Sequence, residues 1–341
     1  VDMEKENTKN GTVAEVLSGT LCGAGQVMFQ KSVWTSLLFL AGIFWGAWIE
    51  GRMAVAWGAV AGLVVSTGTG ALLGLKPEEG RQGLWGFNGI LVGCAFMTFL
   101  RPTPLCWLAM LLCAASTVWV REGLNRVMAP WRVNSFTMPF VLMTWFFLAA
   151  AHAMKGLPVE GLADPAFPAS FSVSVAEGWL DLIVYALKGV AQVFLIDSWV
   201  TGLLFLVGLA LSNGWSAFWA AVASALSLGT ILLFQGAGAS IAGGLYGFSP
   251  VLTGIALGSI FYKPSWRTAL WTLLGIVLTV FVQAAMNVVL TPVGLPALTA
   301  PFCITTWLFL LPLLKLNDPA DSDHSDWDEG RKPHLKRRSN R

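Results

Sequence analysis

The sequence predicts an all-α membrane protein of about ten transmembrane helices plus two re-entrant or tilted half-helices, arranged as two inverted homologous repeats around a central pore. Three observations carry this. Hydrophobic residues make up 55% of the 341 residues and charged residues only 12%, with a mean hydropathy of +0.67, whereas soluble domains carry about a quarter charged residues. Stretches such as 53–75, 199–211 and 269–282 are apolar on every side, unlike the single stripe of a surface helix, and spans of about 20 residues match a bilayer core. Segments of the first half also recur in the second at a nearly constant offset.

Taken in order, a polar segment (1–13) opens the chain, and no apolar run directly follows VDMEKENTKN, so no cleavable leader is expected. Residues 14–151 form the first membrane repeat. Its first segment, about 14–32, is only moderately apolar and ends in a polar cluster at Gln26. It reads as a tilted or re-entrant helix, which membrane depth tolerates where it lines a cavity. Five apolar segments follow at about 34–49, 53–75, 84–100, 104–120 and 136–151. A stretch rich in Pro and small residues, 152–178, links this repeat to the second, 179–314. There a weaker segment ending at Gln192 again precedes five apolar ones, at about 199–213, 215–235, 245–262, 266–288 and 299–314. The tail, 315–341, is acidic and then basic: its last eleven residues hold six of the 21 Lys and Arg. Such a composition reads as a solvated, disordered tail.

Three collinear matches define the duplication. GQVMFQKSVWTSLLFLAG (25–42) aligns with AQVFLIDSWVTGLLFLVG (191–208), LWGFNGILVG (84–93) with LYGFSPVLTG (245–254), and FTMPFVLMTWFFL (136–148) with LTAPFCITTWLFL (298–310), at offsets of 161 to 166. An odd number of spans per repeat inverts the second copy in the membrane. Ten spans place both termini on one side, and the basic tail makes that side cytoplasmic by the positive-inside rule. The linker, poor in Lys and Arg, then lies outside the cell membrane. The 36 Gly allow close helix approach, and many of the 17 Trp read as anchors at the headgroup level. Cys22, Cys94, Cys106, Cys113 and Cys303 lack metal-ligand spacing and read as small buried hydrophobes.

Ionisable groups are scarce inside the apolar segments. Glu50 with Arg52, Arg101, and Arg121 with Glu122 all fall at segment ends, and Asp197 precedes a span as an interfacial or capping residue. No P-loop, nucleophile with a base, or metal cluster is visible. No enzyme activity, cofactor or nucleic-acid partner is expected, and passive movement of a neutral solute fits best. The twice-occurring Thr-x-Pro-Phe element supplies polar groups for it. Pro139 and Pro301 each free a carbonyl in a preceding turn, and Thr137 and Thr299 add hydroxyls; the competing reading is a simple kink with Thr bonded to its own backbone. Phe87 and Phe248 match across the repeats, with Leu91 and Leu252 one turn later, and Phe29 and Val193 follow Gln26 and Gln192. These read as apolar walls of a slot or as plain packing. The two Gln read as solute contacts or as interhelical hydrogen bonds, since a buried amide needs partners.

These elements resemble those of the urea transporter family. Its LPxxTxPF signature stands at 295–302 as LPALTAPF, and 133–140 reads VNSFTMPF, with Asn134 in place of the first Pro. QVMF, LWGFN and LYGFS also look like the family's paired pore elements, and the resemblance covers roughly 14–314. It implies a channel-like facilitator of urea, usually a homotrimer in membrane lipid with one pore per subunit. Carried over by motif, Gln26, Phe29, Phe87 and Leu91 line one end, Gln192, Val193, Phe248 and Leu252 the other, and Thr137 and Thr299 the constricted middle. The alternative is a channel for ammonia, water or a short amide.

Overall fold

The computed structural model describes residues 15–167, 170–173, 178–312, 314 and 316. The polar segment 1–13 and nearly all of the tail 315–341 lie outside the described residues. Among the described residues, fourteen α-helices form two sets of seven. The first set is α1 (15–26), α2 (Val33–Ile49), α3 (Met53–Leu72), α4 (Pro77–Arg81), α5 (Phe87–Phe99), α6 (Pro104–Met128) and α7 (Met138–Ala151). The second is α8 (Trp179–Ala191), α9 (Trp199–Ser212), α10 (Gly214–Leu233), α11 (Gly238–Ala242), α12 (Phe248–Ile255, continued by a π-helical turn to Ile260), α13 (Trp266–Leu290) and α14 (Ala300–Leu310). The fold is thus all-α, as the hydropathy requires.

The ten apolar segments are not ten equal rods. Among the described residues, four helices, Met53–Leu72, Pro104–Trp131, Gly214–Leu233 and Trp266–Val293, are long and apolar enough to cross a membrane singly. α8 and α9 meet at a 74° bend and pass the same test only together. The 13 residues of α5 and the 14 of α7 rise about 20 Å, short of the ~30 Å hydrocarbon core. Hydropathy sums apolar residues whether or not they are helical, so it extends α5 and α7 backwards across irregular turns. The expectation for the prolines changes with them. Pro139 and Pro301 occupy the first turn of α7 and α14, where the missing N–H has no helical partner to lose. They start half-helices and do not kink full ones.

The duplication extends to the backbone. Ser32 caps α2 by accepting from the Thr35 N–H, and Ser198 caps α9 by accepting from the Thr201 N–H. Left-handed residues recur in register: Phe29 with Leu195, Arg132 with Gly294, Phe136 with Leu298, Gly74 with Gln235, and Gly83 with Gly244. The halves also grip each other reciprocally. The Thr35 hydroxyl donates to the Gly208 carbonyl (2.8 Å), and the matching Thr201 hydroxyl donates to the Gly42 carbonyl (2.7 Å). Phe39 and its counterpart Phe205 touch at 4.8 Å between centroids. Trp145 Nε1 donates to the Pro296 carbonyl and Trp307 Nε1 to the Asn134 carbonyl, both at 2.8 Å. Contacts in which residue i meets j′ and i′ meets j are the mark of a two-fold relation.

Close packing of α3 on α5 rests on glycine. A Cβ on Gly93 would sit 1.9 Å from the Gly58 carbonyl oxygen, and one on Gly62 2.0 Å from that of Gly89. Backbone faces backbone there, so no side chain can give way. Gly93→Val is therefore expected to lower the thermal midpoint in detergent sharply, at or beyond the ~3 kcal/mol upper end of overpacking costs. Gly68→Val, at a site with nothing within 4 Å, is the control that should leave the midpoint within about a degree or two. Equal midpoints for the two variants would remove the glycine contact from the account. The five cysteines are all free and buried, as small hydrophobes should be.

Candidate functional site

The two Thr-x-Pro-Phe elements meet. Thr137 and Thr299 are the N-caps of α7 and α14, and their hydroxyls share a hydrogen bond of 2.7 Å. The Cys303 thiol lies 3.3 Å from the Thr137 hydroxyl. Both threonines are nearly inaccessible, at 2% and 3% exposure. The local sequence explains their placement. Phe136 and Leu298 each turn the chain through a left-handed residue, and the Pro two positions after each Thr fixes the first helical turn. The Trp145 and Trp307 bonds then tie each irregular approach to the opposite half-helix. Two helix N-termini consequently point at one spot, each carrying roughly half a positive elementary charge.

The glutamines occupy matching positions one loop away from the Gly–Phe turns. Gln26 Nε2 donates to the Gln82 carbonyl and Gln192 Nε2 to the Gly243 carbonyl, both at 2.8 Å. Each amide is anchored by its nitrogen, which leaves Oε1 as an acceptor. Phe87 and Phe248 open α5 and α12 directly after those loops. Leu91 and Leu252 lie one turn further on and are fully buried.

Phe29 is half-buried and packs edge-on against Phe136, Phe261 and Phe302, with centroids at 6.2, 6.0 and 6.1 Å. The last three were not singled out by the sequence; the signal for Phe136 and Phe302 was their place within the repeated element itself. The repeat-related positions carry Leu195, Leu298, Leu100 and Phe140. The four aromatic positions of this cluster thus correspond to three leucines and one phenylalanine in the repeat-related places. Val193 is 1% exposed and aligns with Val27, which is equally buried. The residue that shares both the left-handed backbone and the partial exposure of Phe29 is Leu195. A strict offset of 166 from Phe29 names it.

Two clusters of charge lie on elements that flank the site residues. Arg121, beyond the hydropathy-defined end of its segment, lies within α6, only 10% exposed, and bonds Glu79 and Glu122 at 2.9 Å each. This joins α6 to α4, whose following residue Gln82 holds Gln26. Near the other end Lys188 pairs with Asp197 at 2.8 Å, and Glu50 Oε1 accepts from the Asp197 N–H at 2.7 Å. Burial pushes the Glu50 carboxyl above the usual carboxylate range, against the opposing pull of the Asp197 N–H and Arg52. Arg52 also donates to the Thr98 carbonyl at 2.7 Å, satisfying a free acceptor at the C-terminus of α5.

Gln26→Leu and Gln192→Leu are expected to raise the half-saturating solute concentration several-fold, as loss of one acceptor implies, with less effect on the maximal rate. Concentration series of flux in proteoliposomes would check this, and a change confined to the maximal rate would contradict it.

Comparison with known proteins gives the chain its family. The family described as "Urea transporter" matches residues 13–313. Among curated relatives, urea transporter 1 of Ovis aries is 30% identical over 303 residues, covering 85% of this chain and 75% of its own length. Urea transporter 1 of Rattus norvegicus is 29% identical over 311 residues, covering 88% and 77%. With this match running through both repeats and both threonine elements, the chain belongs to the urea transporter family, a family of integral membrane transport proteins.

Proposed function

We propose that the protein is a passive, selective channel for urea, and that dehydrated urea crosses it through a narrow slot between the two repeats. The observation that carries this reading is the bonded pair Thr137–Thr299 at the meeting point of two half-helices. Urea is flat, with four N–H donors along its edges. Hydroxyl and amide oxygens suit those edges, and phenyl and aliphatic walls suit its faces. Binding must offset dehydration and still allow release, which neutral hydrogen bonds do. The two converging helix N-termini disfavour a cation at the constriction.

The antiparallel grip of α2 on α9, Thr35 with Gly208 and Thr201 with Gly42, supports inverted repeats. This reading sets α2 and α9 along the membrane normal, so that the two-fold axis perpendicular to the pair lies in the membrane plane. Under this reading both termini are cytoplasmic and the 152–178 linker lies on the outer face. Three subunits in membrane lipid, each with its own pore, complete the proposal.

Stopped-flow light scattering on proteoliposomes tests the solute. Urea permeation well above that of empty vesicles is expected, with ammonia, water and short amides moving more slowly. Urea no faster than through empty vesicles would end the reading.

A further inference from the structure

Asn88 stands in the first turn of α5, next to Phe87, and is 2% exposed. Its Oδ1 accepts from the Phe140 N–H at 3.2 Å, one of the otherwise free donors in the first turn of α7. Only the amide oxygen can accept from an N–H, so this bond fixes which way the amide faces. The nitrogen is turned away, and Nδ2 is buried without a hydrogen-bond partner. A primary amide nitrogen carries two donors, and burying them unpaired is costly. The matching position in the second repeat is Ser249, whose hydroxyl donates to Gln283 Oε1 at 3.0 Å and is satisfied. Acceptors at the site are thus duplicated (Gln26 with Gln192, Thr137 with Thr299), while this unpaired donor occurs in one repeat alone.

That imbalance matches the solute. Urea offers four N–H groups and a single carbonyl oxygen, and stripping its water leaves the carbonyl needing at least one donor. Phe140, which holds Asn88, lies three residues beyond Thr137 in the same turn. Resting on the urea reading above, we propose that Asn88 is a solute-binding residue of the pore, its Nδ2 donating to the urea carbonyl as the N–H edges pass the Thr137–Thr299 pair. Asn88 then sets selectivity for a strong acceptor oxygen, and it breaks the near-symmetry of the path by favouring one orientation of the molecule.

Asn88→Leu keeps the branched shape and removes the donors, together with the acceptor of the Phe140 N–H. Labelled urea flux is measured in proteoliposomes for its half-saturating concentration and for its half-inhibition by thiourea, whose sulfur accepts hydrogen bonds poorly. Loss of a donor to the carbonyl raises the urea value about ten-fold and moves the thiourea value much less. A merely structural role for Asn88 moves both together; equal shifts, or none, overturn the assignment. Asn88→Ser, the residue type of the second repeat, gives the same comparison if the Leu variant does not assemble. Urea flux in the unsubstituted protein separates the two claims. Wild-type flux with unchanged discrimination in the variants removes Asn88 alone, whereas no wild-type flux removes the channel reading and Asn88 with it.

Discussion

Thr299→Val is expected to slow urea flux through reconstituted protein about ten-fold, and Thr137→Val by a similar factor. Val keeps the branched shape at each N-cap and deletes the hydroxyl. A solute crossing between these helices must replace the 2.7 Å bond between the two oxygens with bonds to itself. With one hydroxyl gone, it recovers one bond fewer, and a loss of about 1.4 kcal/mol at the barrier is a factor of ten in rate. The two losses should not add, because each single variant already breaks the shared bond; the double variant should be less than a hundred-fold slower. Flux must be normalised to folded protein, since Cys303 at 3.3 Å also loses its neighbour in Thr137→Val. If both single variants carry urea at the wild-type rate, the hydroxyls only shape the turn and the constriction lies elsewhere.

Arg121→Met should cost more in stability than any other single change in the ion pairs described. Arg121 and Glu79 are 10% and 12% exposed and 2.9 Å apart, and stripping one partner from a buried pair typically costs about 3–5 kcal/mol because the other is left charged and unpaired. The thermal midpoint in detergent should fall by many degrees. The second repeat holds the same architecture with Gln283 and Ser240 in the corresponding places. The double variant Glu79→Ser/Arg121→Gln should therefore recover most of the loss, since neither buried position then carries a charge. Failure of the double variant to recover would mean that the pair does more than satisfy its own charges. A fall in urea affinity in Arg121→Met would follow from the loosened α4, because the Gln82 carbonyl at its end positions Gln26.

The apolar character, the duplication and the threonine elements were all readable in the residues, because each is a pattern of composition or spacing. What was not readable depends on backbone conformation. Pro139 looks the same in a sequence whether it kinks a helix or begins one; the left-handed Phe136 before it decides, and an aromatic residue gives no hint of that. Arg121 reads as an edge charge because hydropathy falls there, but α6 continues to Met128 and Glu79 comes from a helix of five residues too short for periodicity to reveal. The place after Gln192 names Val193, and one strict offset from Phe29 names Leu195. Asn88 carried no motif; its orphaned nitrogen exists only once the Phe140 N–H has claimed the oxygen.

The reciprocal bonds between the halves have a consequence for biosynthesis. The partners of Thr35, Trp145 and Thr137 stand 173, 151 and 162 residues further along the chain. At roughly 5–20 residues per second, the first repeat waits on the order of ten seconds in the membrane before its counterpart is made. During that interval its interlocking polar groups have no native partners, and an isolated first half should stay a target for quality-control proteases. Co-expression of the two halves as separate chains, split within the linker, should rescue both together and neither alone.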